Sequence, residues 1–539
     1  MPQEAAPELG PTSTQGKPAR PTRAVRDGEL AIAAAGLFLR LLLVVRDTTA
    51  LDRLFVPDDT YYTLGIARGL ARGWGPSIDG TQLTNGFQPL IAFLIAPAYW
   101  VTNDPMAPLR WAWVLLALVD VASALLLARL ARRATGHPIA ALSACAFWAL
   151  SPMAIANAMG GLETSLAVMC ELACVEAWCA AREHSTRGRW LLTGALAGLA
   201  VLARIDAVIV LGVLALTNLR GTEARALGWT AAGAAVVVAP WWTYEAVRLG
   251  TVVPTSGQAV RAQVDEHRAR YLTSMGQVGW ALGAALEPWI ARLGDLRLFF
   301  YRQTWLTAVV GPVGTSALIA AVWRSRAARP IAGFVTGALA LFPFYALYVP
   351  ALWFFPRYLA PVHATLVLLA AIGLSHLAEA QHRVWTWARN AAALVLAMSL
   401  VVDMSYVLAQ PDRTPDEDLH GAKGYREAAL AILDKTPPGA VVGALQSGAL
   451  SYFADGRNVR IVNLDGVVDD AARTAFRDNH LAAFARARGM THFADWTWNR
   501  EAFLRHAGDP AVTDTCFAPI GEAPPQPPDR FVLYAFVCR

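Results

Sequence analysis

The chain has 539 residues, 55% hydrophobic and 16% charged, with a formal net charge of +5. A soluble chain carries roughly 25% charged residues, so this composition, with a mean hydropathy of +0.37, excludes an ordinary soluble enzyme. The charge is modest and forms no polybasic block, which excludes a nucleic-acid partner. Recurring long apolar runs describe a polytopic membrane protein instead.

Residues 1–28 are rich in Pro, Thr and Gln and read as a disordered cytoplasmic tail. Leu30–Val45 is the first span, and it reads as an anchor because no A-x-A-like cleavage site follows it. Then comes the first outward loop, 46–108. It holds two adjacent carboxylates, Asp58 and Asp59, a helical segment from Tyr61 to Arg72, and a loop rich in Gly, Pro and Asn. Further spans are expected near 109–128, 139–151, 162–181, 190–203, 206–219, 228–246, 303–323, 330–350, 358–376 and 390–409. Arginines cluster at Arg129/Arg132/Arg133, Arg182/Arg187/Arg189, Arg220/Arg225, Arg324/Arg326/Arg329 and Arg383/Arg389. Placing those loops in the cytoplasm puts the alternate connections, including 152–161, 204–205, 247–302 and 351–357, on the other side. Phe87–Val101 is apolar but short and carries Pro89 and Pro97. A crossing there would invert every later arginine loop, so it reads as re-entrant or interfacial, leaving about eleven crossings.

The membrane region therefore spans 29–409, and the composition changes at 410. Pro411–Asp418 is a polar linker and 421–435 is helical. Ala440–Gln446, Val459–Leu464, Thr491–Asp495 and Phe531–Val537 read as strands, with helices near 470–488. Strands alternating with helices make 410–539 a small α/β domain on the outward side. Cys145, Cys170, Cys174 and Cys179 fall in apolar segments as small buried thiols. Cys516 and Cys538 lie in the C-terminal domain, where they pair only if the two sulfurs meet in an oxidising compartment.

Adjacent acids do not point the same way on a helix. One of Asp58 and Asp59 can therefore reach a reacting hydroxyl as general base while the other holds the loop or a metal. A helix N-cap is the bland alternative, and it needs only one of them. Glu163, in G-L-E-T at the mouth of a span, is costly if it faces lipid. It either joins the two aspartates, around substrate hydroxyls or a metal, or is a solvated acid at a helix start. Arg204 sits in the shortest outward turn with Asp206, as an internal pair or as a donor contact. Arg357, in F-F-P-R-Y ahead of another span, has the geometry to grip a phosphate, with Tyr358 beside it. Snorkelling in an aromatic belt is its bland alternative. His363 reads as a packed histidine. Tyr61, Asn85 and Gln88 in the first loop are candidates to line the acceptor path.

The acidic pair, T-N-G-F-Q-P-L at 84–90, G-L-E-T at 161–164, L-A-R-I-D at 202–206, P-R-Y-L at 356–359 and N-L-D-G-V-V at 463–468 together resemble the GT-C glycosyltransferases. Within them the chain resembles the bacterial branch related to protein mannosyltransferases and lipid-A aminoarabinose transferases. The K-P-P-like segment of the latter is replaced here by Phe87-Gln88-Pro89. The resemblance implies a polyprenyl-phosphate-linked sugar donor, a lipid, glycan or protein acceptor, and inversion at the anomeric carbon. It also implies a multi-pass protein of the bacterial inner membrane with an extracytoplasmic site. The first-loop acid of the family maps to Asp58 or Asp59, the second-loop acid to Glu163, and the late arginine to Arg357. Some members use a divalent metal, for which Asp58, Asp59 and Glu163 are the available ligands. The alternative from another class is a transporter or flippase of a polar lipid, which expects internal repeats and mid-membrane charges.

Overall fold

The computed structural model describes residues 22–217, 223–271, 328–349, 355–379, 390, 424–524 and 530–538. The expected tail up to residue 21, the span at 303–323, nearly all of that at 390–409 and the linker at 411–418 lie outside them.

Helix α1 (Arg23–Val44) and helix α2 (Thr48–Phe55) are bent against each other by 112°. The bend lays α2 and the following α3 (Asp58–Ala71) at the end of the bundle. Asp47 caps α2, its carboxylate accepting from the Thr49 and Ala50 amides. The apolar segment 89–101 is two short helices, α4 (Pro89–Ile95) and α5 (Ala98–Val101). Thirteen residues of helix reach ~20 Å, short of a ~30 Å hydrocarbon layer.

Helices α6 (Ala107–Thr135) and α9 (Thr164–Glu183) are long and apolar enough to cross a membrane. Counting α1–α2 and the bent pair α7 (Pro138–Ala149) and α8 (Pro152–Met159) as one span each raises that to four. About eleven crossings are thus not reached by length and hydropathy among the described residues. Several remaining helices are short, such as α11 (Ala207–Thr217). Others carry an internal proline, such as α12 (Glu223–Leu249) at Pro240 and α14 (Arg329–Tyr348) at Pro343.

Two devices hold the bundle. Ion pairs join its helices: the buried pair Arg40 to Asp120 between α1 and α6, and the half-buried pair Arg133 to Glu176 between α6 and α9. Trp148 Nε1 also donates to Asp120 Oδ1 at 3.1 Å, so that carboxylate is well satisfied inside the bundle. Elsewhere small residues let backbones touch. A Cβ on Gly194 of α10 (Arg187–Ala203) would lie 1.9 Å from the Thr230 carbonyl of α12, and one on Gly233 2.2 Å from that of Leu191.

Residues 424–538 contain a five-stranded sheet of order β2-β1-β3-β5-β4. The strands β1 (Ala440–Ala444), β2 (Val459–Asn463) and β3 (His492–Trp496) run parallel, and β4 (Phe517–Glu522) and β5 (Phe531–Phe536) add an antiparallel edge. The four strands read from the sequence are present. β4 was not expected, because its outer positions Ala518, Pro519 and Ile520 are exposed and show no alternation. The helical stretch at 470–488 is two helices broken at Asn479, the one non-glycine residue with positive φ among those described. Cys516 and Cys538 form a disulfide, and the four other cysteines are free and buried.

Candidate active site

Asp58 and Asp59 open α3, and their side chains part about 100° around its axis. Asp58 faces the C-terminal domain. Its carboxylate accepts from the Gly448 and Ala449 amides, both at 2.8 Å, at the start of the short helix α18 (Gly448–Phe453). Burial pushes its pKa up to about 7, against the lowering effect of those two bonds. One turn on, Tyr62 continues the contact: its hydroxyl accepts from the Ser447 amide at 3.0 Å and from Asn463 Nδ2 at 3.1 Å. Asn463 and Asp465 of N-L-D-G complete the network, and burial lifts Asp465 to about 8. Asp58 is therefore a docking residue whose oxygens are committed.

Asp59 faces the other way. Arg357 donates to its Oδ2 at 2.7 Å; the Asp59 side chain is 35% exposed and that of Arg357 12%. The late arginine, expected on a donor phosphate, lies here on the first-loop acid. Arg357 also borders a small cleft with Phe55, Pro57, Asn157 and Leu162. Asn157 was not anticipated; its buried Oδ1 has no partner among the described residues. It lies in an apolar run, where one amide gives no periodic signal.

Glu163 is buried at the start of α9. Its Oε1 accepts from Arg204 at 2.8 Å, and Arg204 also donates to Asp206 at 2.8 Å and to the Tyr345 hydroxyl at 3.1 Å. Tyr345 in turn donates to Asp206. The Arg204–Asp206 pair is internal, and Glu163 belongs to it. The guanidinium of Arg204 lies 5.0 Å from the Tyr358 ring centroid and that of Arg357 5.8 Å from it, so both cations lie within reach of one ring. Tyr358 stacks on Tyr345 at 4.8 Å. Asp59 and Glu163 both act electrostatically on the same tyrosine, which brings the two acids and two arginines around it. Tyr345, inside an aromatic span segment, had nothing in the sequence to single it out.

Local chain geometry builds this cluster. Gly161 adopts φ +74°, and a Cβ there would press on Leu109 and Thr60 at 2.9 Å each. That turn presents Glu163, and it is pinned where Thr60 Oγ1 donates to the Gly160 carbonyl and Trp113 Nε1 to that of Met159, each at 2.6 Å.

The remaining expectations fare differently. Tyr61 is fully buried, its hydroxyl donating to Asp52 at 2.5 Å and its ring packed against Tyr452 and Phe453. It packs the domain interface and does not line an acceptor path. Asn85 is a clip: Nδ2 donates to the Val253 carbonyl at 3.1 Å and Oδ1 accepts from the Thr255 amide at 3.3 Å. Thr255 Oγ1 then donates to the Val467 carbonyl at 3.2 Å. T-N-G-F thus ties the 251–255 loop to the C-terminal domain. Gln88 is half-buried ahead of α4 and does not cap it. His363 packs on Trp148 and shares a hydrogen bond with Ser151 Oγ at 3.0 Å. Asp58, Asp59 and Glu163 do not form a metal-ligand group, and no group of three His, Cys, Asp or Glu side chains suited to a metal occurs among the described residues. The commitment of Asp58 to two amides and of Glu163 to Arg204 explains why.

Comparison with known proteins follows the same lines. Residues 87–244 match the family model for dolichyl-phosphate-mannose-protein mannosyltransferases. The fold is similar to ArnT from Cupriavidus metallidurans bound to undecaprenyl phosphate, with a TM-score of 0.53 and 16% identity over 96% of this chain and 99% of that one. It is also similar to the Archaeoglobus fulgidus oligosaccharyltransferase in the apo form, with a TM-score of 0.56 and 14% identity over 94% of this chain and 74% of that one. No curated protein sequence matches the chain.

Proposed function

We propose that the chain is an integral-membrane glycosyltransferase of the GT-C superfamily that moves a sugar from a polyprenyl-phosphate-linked donor to an acceptor hydroxyl at the extracytoplasmic face, with inversion; the family-model match over 87–244 and the likeness of fold support this reading. The observation that carries this reading is the pairing of an accessible carboxylate, Asp59, with Arg357 beside the Glu163–Arg204 pair.

In this reaction Asp59 takes the proton of the acceptor hydroxyl as its oxygen forms a bond to the anomeric carbon. The bond from that carbon to the phosphate oxygen breaks in the same step, and the electron pair leaves with the polyprenyl phosphate. Arg357, released from Asp59 by the incoming phosphate, meets the developing charge. Arg204 adds positive charge from behind Tyr358, held in place by Glu163 and Asp206. One displacement inverts the centre. No step passes through a metal. The disulfide Cys516–Cys538 supports an oxidising, extracytoplasmic setting for the C-terminal domain, in keeping with a bacterial inner-membrane protein. Transport is less well supported: of the acids in the apolar segments, Asp120, Glu171 and Glu176, the first and last are closed in ion pairs, and Glu171 alone keeps a buried oxygen without a partner among the described residues.

The test is transfer from radiolabelled polyprenyl-phosphate sugars by membranes carrying the wild-type chain, Asp59→Asn or Asp58→Asn. Transfer by wild type that Asp59→Asn abolishes supports the reading. Donor binding with no turnover on any acceptor shifts it toward lipid transport.

A further inference from the structure

A cavity of about 340 Å³ lies between the first loop and the C-terminal domain, on the side of α3 away from Asp59. That is within the size range of small-molecule sites, ~300–1,000 Å³. Its walls come from two separated parts of the chain: Arg68, Trp74 and Ile78 from the first loop, Asp455, Val459 and Asn463 from the domain. Asn463 connects it to the docking network, donating to Tyr62 and to Ser447 Oγ at 3.1 and 3.0 Å.

Two features of the lining define what fits. First, its charges balance. Arg68, Arg460 and Arg488 face Asp79, Asp455 and Asp469. Arg68 pairs with Asp455 at 3.3 Å and Arg488 with Asp469 at 2.9 Å. A phosphate here would meet as many carboxylates as guanidiniums. Paired guanidinium and carboxylate groups offer donors and acceptors side by side, which matches the neighbouring hydroxyls of a sugar. Trp74, Ile78, Val459 and Ile461 add an apolar wall suited to the C–H face of a pyranose or furanose ring. Second, the cationic wall is fixed: Arg68, which lines the cavity, donates to the Tyr452 carbonyl at 2.9 Å.

We infer that this cavity binds a neutral saccharide unit. On the transfer reaction proposed above, that unit is a non-reacting part of a glycan acceptor, held across α3 from the base so that remote binding energy positions the reacting hydroxyl. The assignment to the acceptor rests on that reading; saccharide binding itself does not.

The experiment uses the full chain in lipid nanodiscs. Short neutral hexose and pentose oligosaccharides, inorganic phosphate and undecaprenyl phosphate are titrated in parallel, with saturation-transfer NMR for the sugars. The wild type binds at least one neutral oligosaccharide. Val459→Trp, which fills the cavity, and Arg68→Gln each weaken that binding by at least ~10-fold, the equivalent of ~1.4 kcal/mol, and leave undecaprenyl phosphate binding unchanged. The inference is overturned if no neutral oligosaccharide binds, if Val459→Trp leaves sugar binding intact, or if inorganic phosphate is the ligand the two variants lose. Loss of undecaprenyl phosphate binding in the wild type would instead strike the transfer reading alone.

Discussion

The Asp58 carboxylate accepts a hydrogen bond from the Gly448 amide at 2.8 Å, across 390 positions of sequence. The C-terminal domain is thus seated on the first loop by a buried acid. Asp495 does similar work within the domain, accepting from the Leu445 amide at 2.6 Å and the Gln446 amide at 3.1 Å, and burial raises it to about 7.

These raised values make docking depend on pH. An ordinary carboxyl titrates near ~4, so between pH ~4 and ~7 the docked state holds protons that the undocked chain has lost. By linkage its stability is fullest below pH ~4 and declines as pH rises through about 7 for Asp58 and about 8 for Asp465. Hydrogen exchange at the Gly448 and Ala449 amides should show protection falling across that window. Asp58→Asn should flatten the fall; a pH-independent profile in the wild type would count against ionisation of these acids.

Exchanging the two first-loop acids separately should divide their effects. Asp59→Asn should lower kcat at least ~100-fold, the low end for loss of a general base, with the domain still docked. Asp58→Asn replaces an acceptor oxygen by a donor facing two amides, and should cost about 1–3 kcal/mol of docking. Transfer assays with limited proteolysis separate the two, and equal kcat losses with intact docking would contradict the division.

Arg357→Lys keeps the charge but loses the fork, so donor KM should rise with residual turnover. Glu163→Gln should act through Arg204, which keeps Asp206 as its carboxylate partner. A loss of about 1–3 kcal/mol in stability is expected, as for a weakened buried hydrogen bond, read as a fall in detergent melting temperature.

The Asn85 clip predicts a local effect. Asn85→Ala should raise exchange at residues 251–255 while the sheet stays protected. Gly86→Ala should be harsher, since a Cβ there would lie 1.8 Å from the Val467 carbonyl and force the loop and domain apart. Proteolytic release of 424–538 is the readout.

Much of this was legible. Apolar runs and short strand-like segments marked the apolar helices and the strands β1, β2, β3 and β5, because hydrophobic length and period are written residue by residue. Asp59, Glu163, Arg204 and Arg357, which the fold gathers around Tyr358, stood out too, as polar residues at the mouths of apolar helices. Their partners were not. Nothing local tells that Arg357 lies on Asp59 or that Asp58 serves Gly448, since those contacts join segments about 300 to 400 residues apart. Tyr61 was misread for the same reason: its ring contacts, Tyr452 and Phe453, lie beyond every span.

The bond between Asp58 and α18 also sets an order of assembly. The two amide partners of Asp58 are made almost 400 residues after it. Until the ribosome has passed residue 449, the first loop waits with an unsatisfied acid and an open Tyr62. The seat is completed only when the domain that holds Gly448 and Ala449 has been made and folded. A chain that stops short of residue 448 leaves this loop uncovered.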